Sequence, residues 1–130
     1  MKEFIKKLLK EALGEPMVLD IVKNPEKAPY MGSRFGQDVE PTGTYVLKSW
    51  GKTPEGWLEG KVTIQKPLII DVNDNTLVSY KIDLAKQYKA KGKMLTQKLM
   101  NKGYDALITR KPDGDFGEIV LFPNSKFMLH

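Results

Sequence analysis

The last third of the chain leaves the backbone the least freedom. Tyr104-Asp105-Ala106-Leu107-Ile108-Thr109-Arg110 is an apolar run of strand character. Lys111-Pro112-Asp113-Gly114-Asp115 is a strong turn signal, and Gly117-Glu118-Ile119-Val120-Leu121-Phe122 returns until Pro123-Asn124 stops it. The segment is committed to a β-hairpin, and a hairpin alone is marginal in water, so it must pair and pack with the rest of the chain.

The upstream sequence offers partners. Met17–Val22 is a short apolar strand candidate, and Thr44-Tyr45-Val46-Leu47-Lys48-Ser49-Trp50 favours β structure. Between them, Asn24–Pro29 reads as a loop, because two prolines exclude regular structure. Glu40-Pro41-Thr42-Gly43 is a turn. Residues 57–70 form a second β region, in which Val62 and Ile64 alternate with polar residues. Leu68-Ile69-Ile70-Asp71-Val72 reads as a buried strand. Asp71-Val72-Asn73-Asp74-Asn75 resembles the start of a calcium loop. It fails at the sixth position, where Thr76 replaces glycine, and at the twelfth, where Ile82 replaces glutamate. An Asx turn before a helix is the better reading.

Two segments have helical period. Over residues 2–13, Phe4, Ile5, Leu8, Leu9, Ala12 and Leu13 form one stripe, with Lys2, Lys6, Lys7 and Lys10 off it. Gly14 and Pro16 end this amphipathic helix. Residues 77–102 read as mainly helical and interrupted near Gly92, with Leu84, Tyr88, Leu95 and Leu99 as the core stripe and lysines outward. The order of helix, strands, helix and hairpin lacks a repeated βαβ rhythm. It predicts an α+β fold with a mostly antiparallel sheet: an N-terminal helix over 1–14 and one domain over 15–130.

Residue types restrict the chemistry. The chain has no cysteine, and its one histidine is the terminal His130. Thiol catalysis, zinc ribbons and iron–sulfur clusters are excluded, and a histidine base or ligand is disfavoured at a chain end. Catalysis would rest on carboxylates, hydroxyls, lysine, tyrosine or backbone donors. No metal site is expected. No apolar run approaches the 18 or so residues of a membrane span, and the charged N-terminus does not read as a signal peptide.

Charge is unevenly placed. Residues 81–102 hold Lys81, Lys86, Lys89, Lys91, Lys93, Lys98 and Lys102 against Asp83, while the whole chain is only +5. The positive field belongs to that segment and suits an acidic partner. Arg34 and Arg110 are the only arginines, so planar, bidentate base readout is not the pattern.

The order of several short motifs resembles a small ADP-ribosyltransferase-like domain of phage-associated and polyvalent proteins. Gly103-Tyr104-Asp105 followed by Glu118-Ile119-Val120-Leu121-Phe122 is similar to the family's "GYD" strand and its glutamate-bearing "E-h-V-h-F" strand. Tyr30-Met31-Gly32-Ser33 resembles "Y-H-G-T/S". Glu40-Pro41-Thr42-Gly43-Thr44-Tyr45 resembles "EP-x-G-x-Y", and Lys66-Pro67-Leu68-Ile69 resembles "NPL". The resemblance covers residues 28–128. It implies an NAD-dependent mono-ADP-ribosyltransferase in which Glu118 is the catalytic carboxylate. Tyr45 would stack on the nicotinamide, Gly32 would hold the carboxamide, and Ser33 or Arg34 would reach the ribose or phosphates. Met31 stands where one branch of the family carries histidine, so either Arg34 takes over that role or NAD turnover is lost.

Three functions follow as expectations. The first is NAD-dependent modification of a protein or nucleic-acid target. The second is a non-catalytic virion or accessory protein, attached to a virion partner through residues 1–13. The third is nucleic-acid association through residues 81–102. The implied location is the cytoplasm of an infected bacterial host, or the virion.

Overall fold

The computed structural model describes residues 15–25, 39–76 and 79–130, and the main chain of 11–13. Its strands are β1 (Glu11–Leu13), β2 (Met17–Lys23), β3 (Thr44–Lys48), β4 (Leu58–Ile64), β5 (Pro67–Asp71), β6 (Ala106–Arg110), β7 (Phe116–Leu121) and β8 (Lys126–Leu129). Helices α1 (Tyr80–Tyr88) and α2 (Gly92–Asn101) connect β5 to β6. All strands join one sheet in the order β1-β5-β6-β7-β3-β2-β4-β8. The β5–β6 pair is parallel and the other pairs are antiparallel. A parallel pair needs a long crossover, which the two helices supply.

This sheet curls. β4 and β5 stand near opposite ends of the order, yet only Gln65 and Lys66 separate them. So short a link reaches about 11 Å at most. Leu13 faces Leu68 and Met17 faces Ile64, so the β1–β5 and β2–β4 ladders keep one register across the gap. β4–β5 therefore acts as one long, bent strand, with β1 paired to one half and β2 to the other in the same register. Following the ladders from β2 through β4–β5, β6, β7 and β3 leads back to β2.

The curl produces two cores. Ile21, Val46, Val62, Ile64, Ile69, Ile108, Ile119 and Leu121 fill the inside. On the outer face, Leu68, Ile70, Leu107, Val120 and Phe122 meet Tyr80 and Leu84 of α1 and Leu95 and Leu99 of α2. β5 and β6 are covered on both faces. That accounts for their unbroken apolar runs, where a half-exposed strand would alternate.

Asp105 pins the bend. Its carboxylate accepts the main-chain N–H groups of Gln65 (2.8 Å) and Lys66 (2.9 Å). Its own N–H donates to the Lys66 carbonyl at 3.1 Å. Asn73 forms the Asx turn before α1, its Oδ1 accepting from the N–H groups of Asn75 (2.8 Å) and Thr76 (3.1 Å). β8 closes over β4 at Gly60, where a Cβ would stand 1.9 Å from the Met128 carbonyl oxygen.

The α+β, ADP-ribosyltransferase-like expectation is corrected by this architecture: a curled mixed sheet makes up most of the described fold, with only two short helices, in place of an α+β fold opened by an amphipathic helix. The N-terminal amphipathic helix fails where it is described. Glu11–Leu13 is a strand on β5, and residues 1–10 lie outside the described residues. A helix of twelve residues is marginal on its own, whereas the edge of β5 offers a ready ladder. The Lys-rich segment is helical and broken close to Gly92, as its sequence predicts. Lys89 is left-handed (φ 54°) and Gly92 follows at φ 58°, which divides α1 from α2. β8 extends the sheet beyond Pro123-Asn124, where the sequence predicts a stop.

Candidate functional site

The polar centre of the molecule lies where α1 meets the outer face of β3 and β7. Leu47 pairs with Glu118 and Tyr45 with Val120. Side chains two apart share a face, so Tyr45 and Glu118 both project toward α1. The first turn of α1 supplies Tyr80 and Lys81 to the same place. The turn ahead of β3 supplies Glu40.

Lys81 bridges two carboxylates. Its Nζ is 2.7 Å from Glu40 Oε2 and 3.2 Å from Glu118 Oε1. Lys81 and Glu40 side chains are only 7% and 9% exposed, whereas Glu118 is 28% exposed. Tyr80 donates its hydroxyl to Glu118 Oε1 at 2.6 Å. Tyr45 donates to the Pro41 carbonyl at 2.5 Å. The ammonium also lies 5.1 Å from the Tyr45 ring centroid and 5.9 Å from that of Tyr80, within cation–π range.

The electrostatics follow from burial. Desolvation pushes the Glu40 carboxyl above its ordinary 4.5; the Lys81 hydrogen bond and charge oppose that rise, and the Glu118 charge adds to it. Both phenols are held above their ordinary range. Burial is the main cause in each, reinforced by Glu40 and then Glu118 at Tyr45, and by Glu118 at Tyr80. The tyrosines are therefore neutral donors, and the lysine is the charge around which the cluster is arranged.

Of the residues expected to form an NAD site, Glu118 and Tyr45 come together. Gly32, Ser33 and Arg34 lie outside the described residues. Tyr45 does not fit the role of a nicotinamide platform. It is 7% exposed within the outer core, its hydroxyl is engaged by Pro41, and Lys81 stands against its ring.

Sequence reasoning does not single out Glu40, Tyr80 or Lys81 as site residues. A signal exists for Lys81. It precedes Leu84 by three residues and Tyr88 by seven, which places it on the apolar stripe of α1.

Among the described residues no group of three or more His, Cys, Asp or Glu side chains can hold a metal ion, and no helix is long and apolar enough to cross a membrane. The remaining lysines of the segment, Lys86, Lys89, Lys91, Lys93, Lys98 and Lys102, are exposed on and between α1 and α2. Compared with known proteins, the chain matches no family model, no curated protein and no solved structure.

Proposed function

We propose that the chain is a non-catalytic accessory module that attaches to an acidic partner through the lysine face of α1 and α2. One observation carries the reading: the carboxylate best suited to chemistry is already used by the fold. Glu118 Oε1 takes both the Tyr80 hydroxyl and the Lys81 ammonium, so the cluster serves to hold α1 on the sheet. The same arrangement withdraws Lys81 from the surface and leaves six exposed lysines with Asp83 as the one acid among them. Such a face gives long-range, salt-sensitive attraction without planar recognition.

Two measurements test this. Incubation with NAD should release no nicotinamide above the level of a Glu118→Gln variant that is folded at the assay temperature by circular dichroism. Turnover that disappears in that variant would instead support NAD-dependent ADP-ribosyl transfer with Glu118 as its carboxylate. Retention on a polyanionic resin should fall when Lys86 and Lys93 are changed to glutamate, and unchanged retention would refute the lysine face.

A further inference from the structure

A cleft outside α1 and α2 points to the chemistry of the partner. It opens between the end of β3 and the β6–β7 hairpin, with a volume of about 470 Å³, and Leu47, Lys48, Trp50, Lys111, Asp115 and Phe116 line it. Trp50 is 56% exposed and Leu47 41%. Exposure of an indole this large is costly in water. The Trp50 ring is nonetheless set in place: Trp57 meets it edge to face, with centroids 6.1 Å apart and planes at 84°. Across the cleft, the Lys48 ammonium lies 5.7 Å from the Phe116 ring centroid.

We infer that this cleft seats a base of a single-stranded nucleic acid, stacked on Trp50, with Lys48 and Lys111 directed at the flanking phosphates. The inference rests on the reading of the chain as a module for an acidic partner. Charge complementarity selects the occupant, since the two lysines outweigh the one carboxylate of the lining, Asp115. A neutral glycan also stacks on tryptophan but has no use for two ammonium groups, and an acidic peptide has no use for a stacking face. A strand of nucleotides uses both, and it tolerates lysine in place of arginine because stacking and phosphate contact do not read sequence. Two arginines in the whole chain are then no obstacle.

The test compares a fluorescein-labelled deoxythymidine 15-mer with an abasic 15-mer of equal charge, by anisotropy at low salt. The full chain should bind the thymidine strand roughly tenfold more tightly, the order of one stacked base, and its tryptophan emission should be quenched. Trp50→Ala should erase that preference and leave the abasic affinity unchanged. Lys48→Ala with Lys111→Ala should weaken both strands and lower the salt slope by about 1 for each lysine. Equal binding of the two strands by the full chain needs no variant to interpret: it overturns the cleft inference while the lysine-face reading stands. Binding of neither strand overturns both. Quenching by an uncharged hexasaccharide in preference to the thymidine strand, or displacement of that strand from the cleft by a polyglutamate peptide at equal charge, also overturns it.

Discussion

Replacing Lys81 by methionine removes the one cation between two carboxylates and keeps most of the side-chain volume. Lys81 and Glu40 are 7% and 9% exposed, so water offers little screening in the folded state. Breaking a buried ion pair by deleting one partner costs about 3–5 kcal/mol, because the surviving charge stays buried. For a chain of this length, 1 kcal/mol corresponds to roughly 3–5 °C in melting temperature. Lys81→Met should therefore melt about 10–20 °C below the parent chain.

The pH dependence separates this electrostatic cost from lost packing. Burial raises the folded pKa of Glu40 above its ordinary 4.5. Below the unfolded value both states are protonated and no ionisation cost exists; as pH rises through the higher folded value, the cost enters and stability falls. In the parent chain Lys81 offsets much of it. Without Lys81 the folded value rises further, so the difference between variant and parent should be largest near pH 8 and should shrink toward pH 5. Urea unfolding at the two pH values measures this directly. Adding Glu40→Gln to the variant should recover part of the loss at pH 8 and little at pH 5. A difference that is the same at both pH values, with no recovery from Glu40→Gln, would refute the buried-charge account and leave only methylene packing.

Other perturbations probe the scaffold and the surface. Asp105→Ala leaves the Gln65 and Lys66 N–H groups at the bend without their acceptor; two bonds to a charged acceptor put the loss at about 3–5 kcal/mol, readable by calorimetry as a fall in melting temperature. Gly60→Ala forces a Cβ toward the Met128 carbonyl, so amides of β8 should lose hydrogen-exchange protection while those of β6 keep theirs. Arg110→Lys removes a bidentate pair with Asp71 at 2.6 and 3.0 Å, but both side chains are more than a third exposed, so the equilibrium stability measured in urea should change by less than about 1 kcal/mol.

The strands are legible because their patterns are local. The hairpin of β6 and β7 follows from Pro112-Asp113-Gly114 between two apolar runs, and β5 from a run with no polar interruption. Curvature is not legible, since it depends on pairings distant in sequence. Ala12 and Leu13 belong to a helical stripe over 2–13, but the structure assigns them to a ladder opposite Ile69 and Leu68. A period of 3.6 records which residues are apolar, not which backbone bonds they will make. When an edge of β5 is available, three residues of strand outcompete the last turn of a short helix. The bend at Gln65-Lys66 looks like any polar break between strands. Its role depends on Asp105, a residue forty positions away from Gln65 in sequence.

The site shows the same division between what a local pattern specifies and what it leaves open. Charge type puts Lys81 with the exposed lysines, whereas its spacing from Leu84 and Tyr88 puts it on the buried stripe. Spacing prevails because the stripe is set by helix geometry, and a lysine held there must find an anion or lose its charge. That requirement implies a buried carboxylate without naming it. Glu118 is visible as the acid of an apolar strand, but Glu40 is hidden in a proline-glycine turn whose only local message is a change of direction. The fold brings both to one ammonium, which ties α1 to the sheet through Glu118 and to the turn ahead of β3 through Glu40. A glutamate on a β-strand beside a glycine thus marks a candidate reaction centre in the sequence, and only the fold shows that a lysine from the facing helix stands 3.2 Å from it.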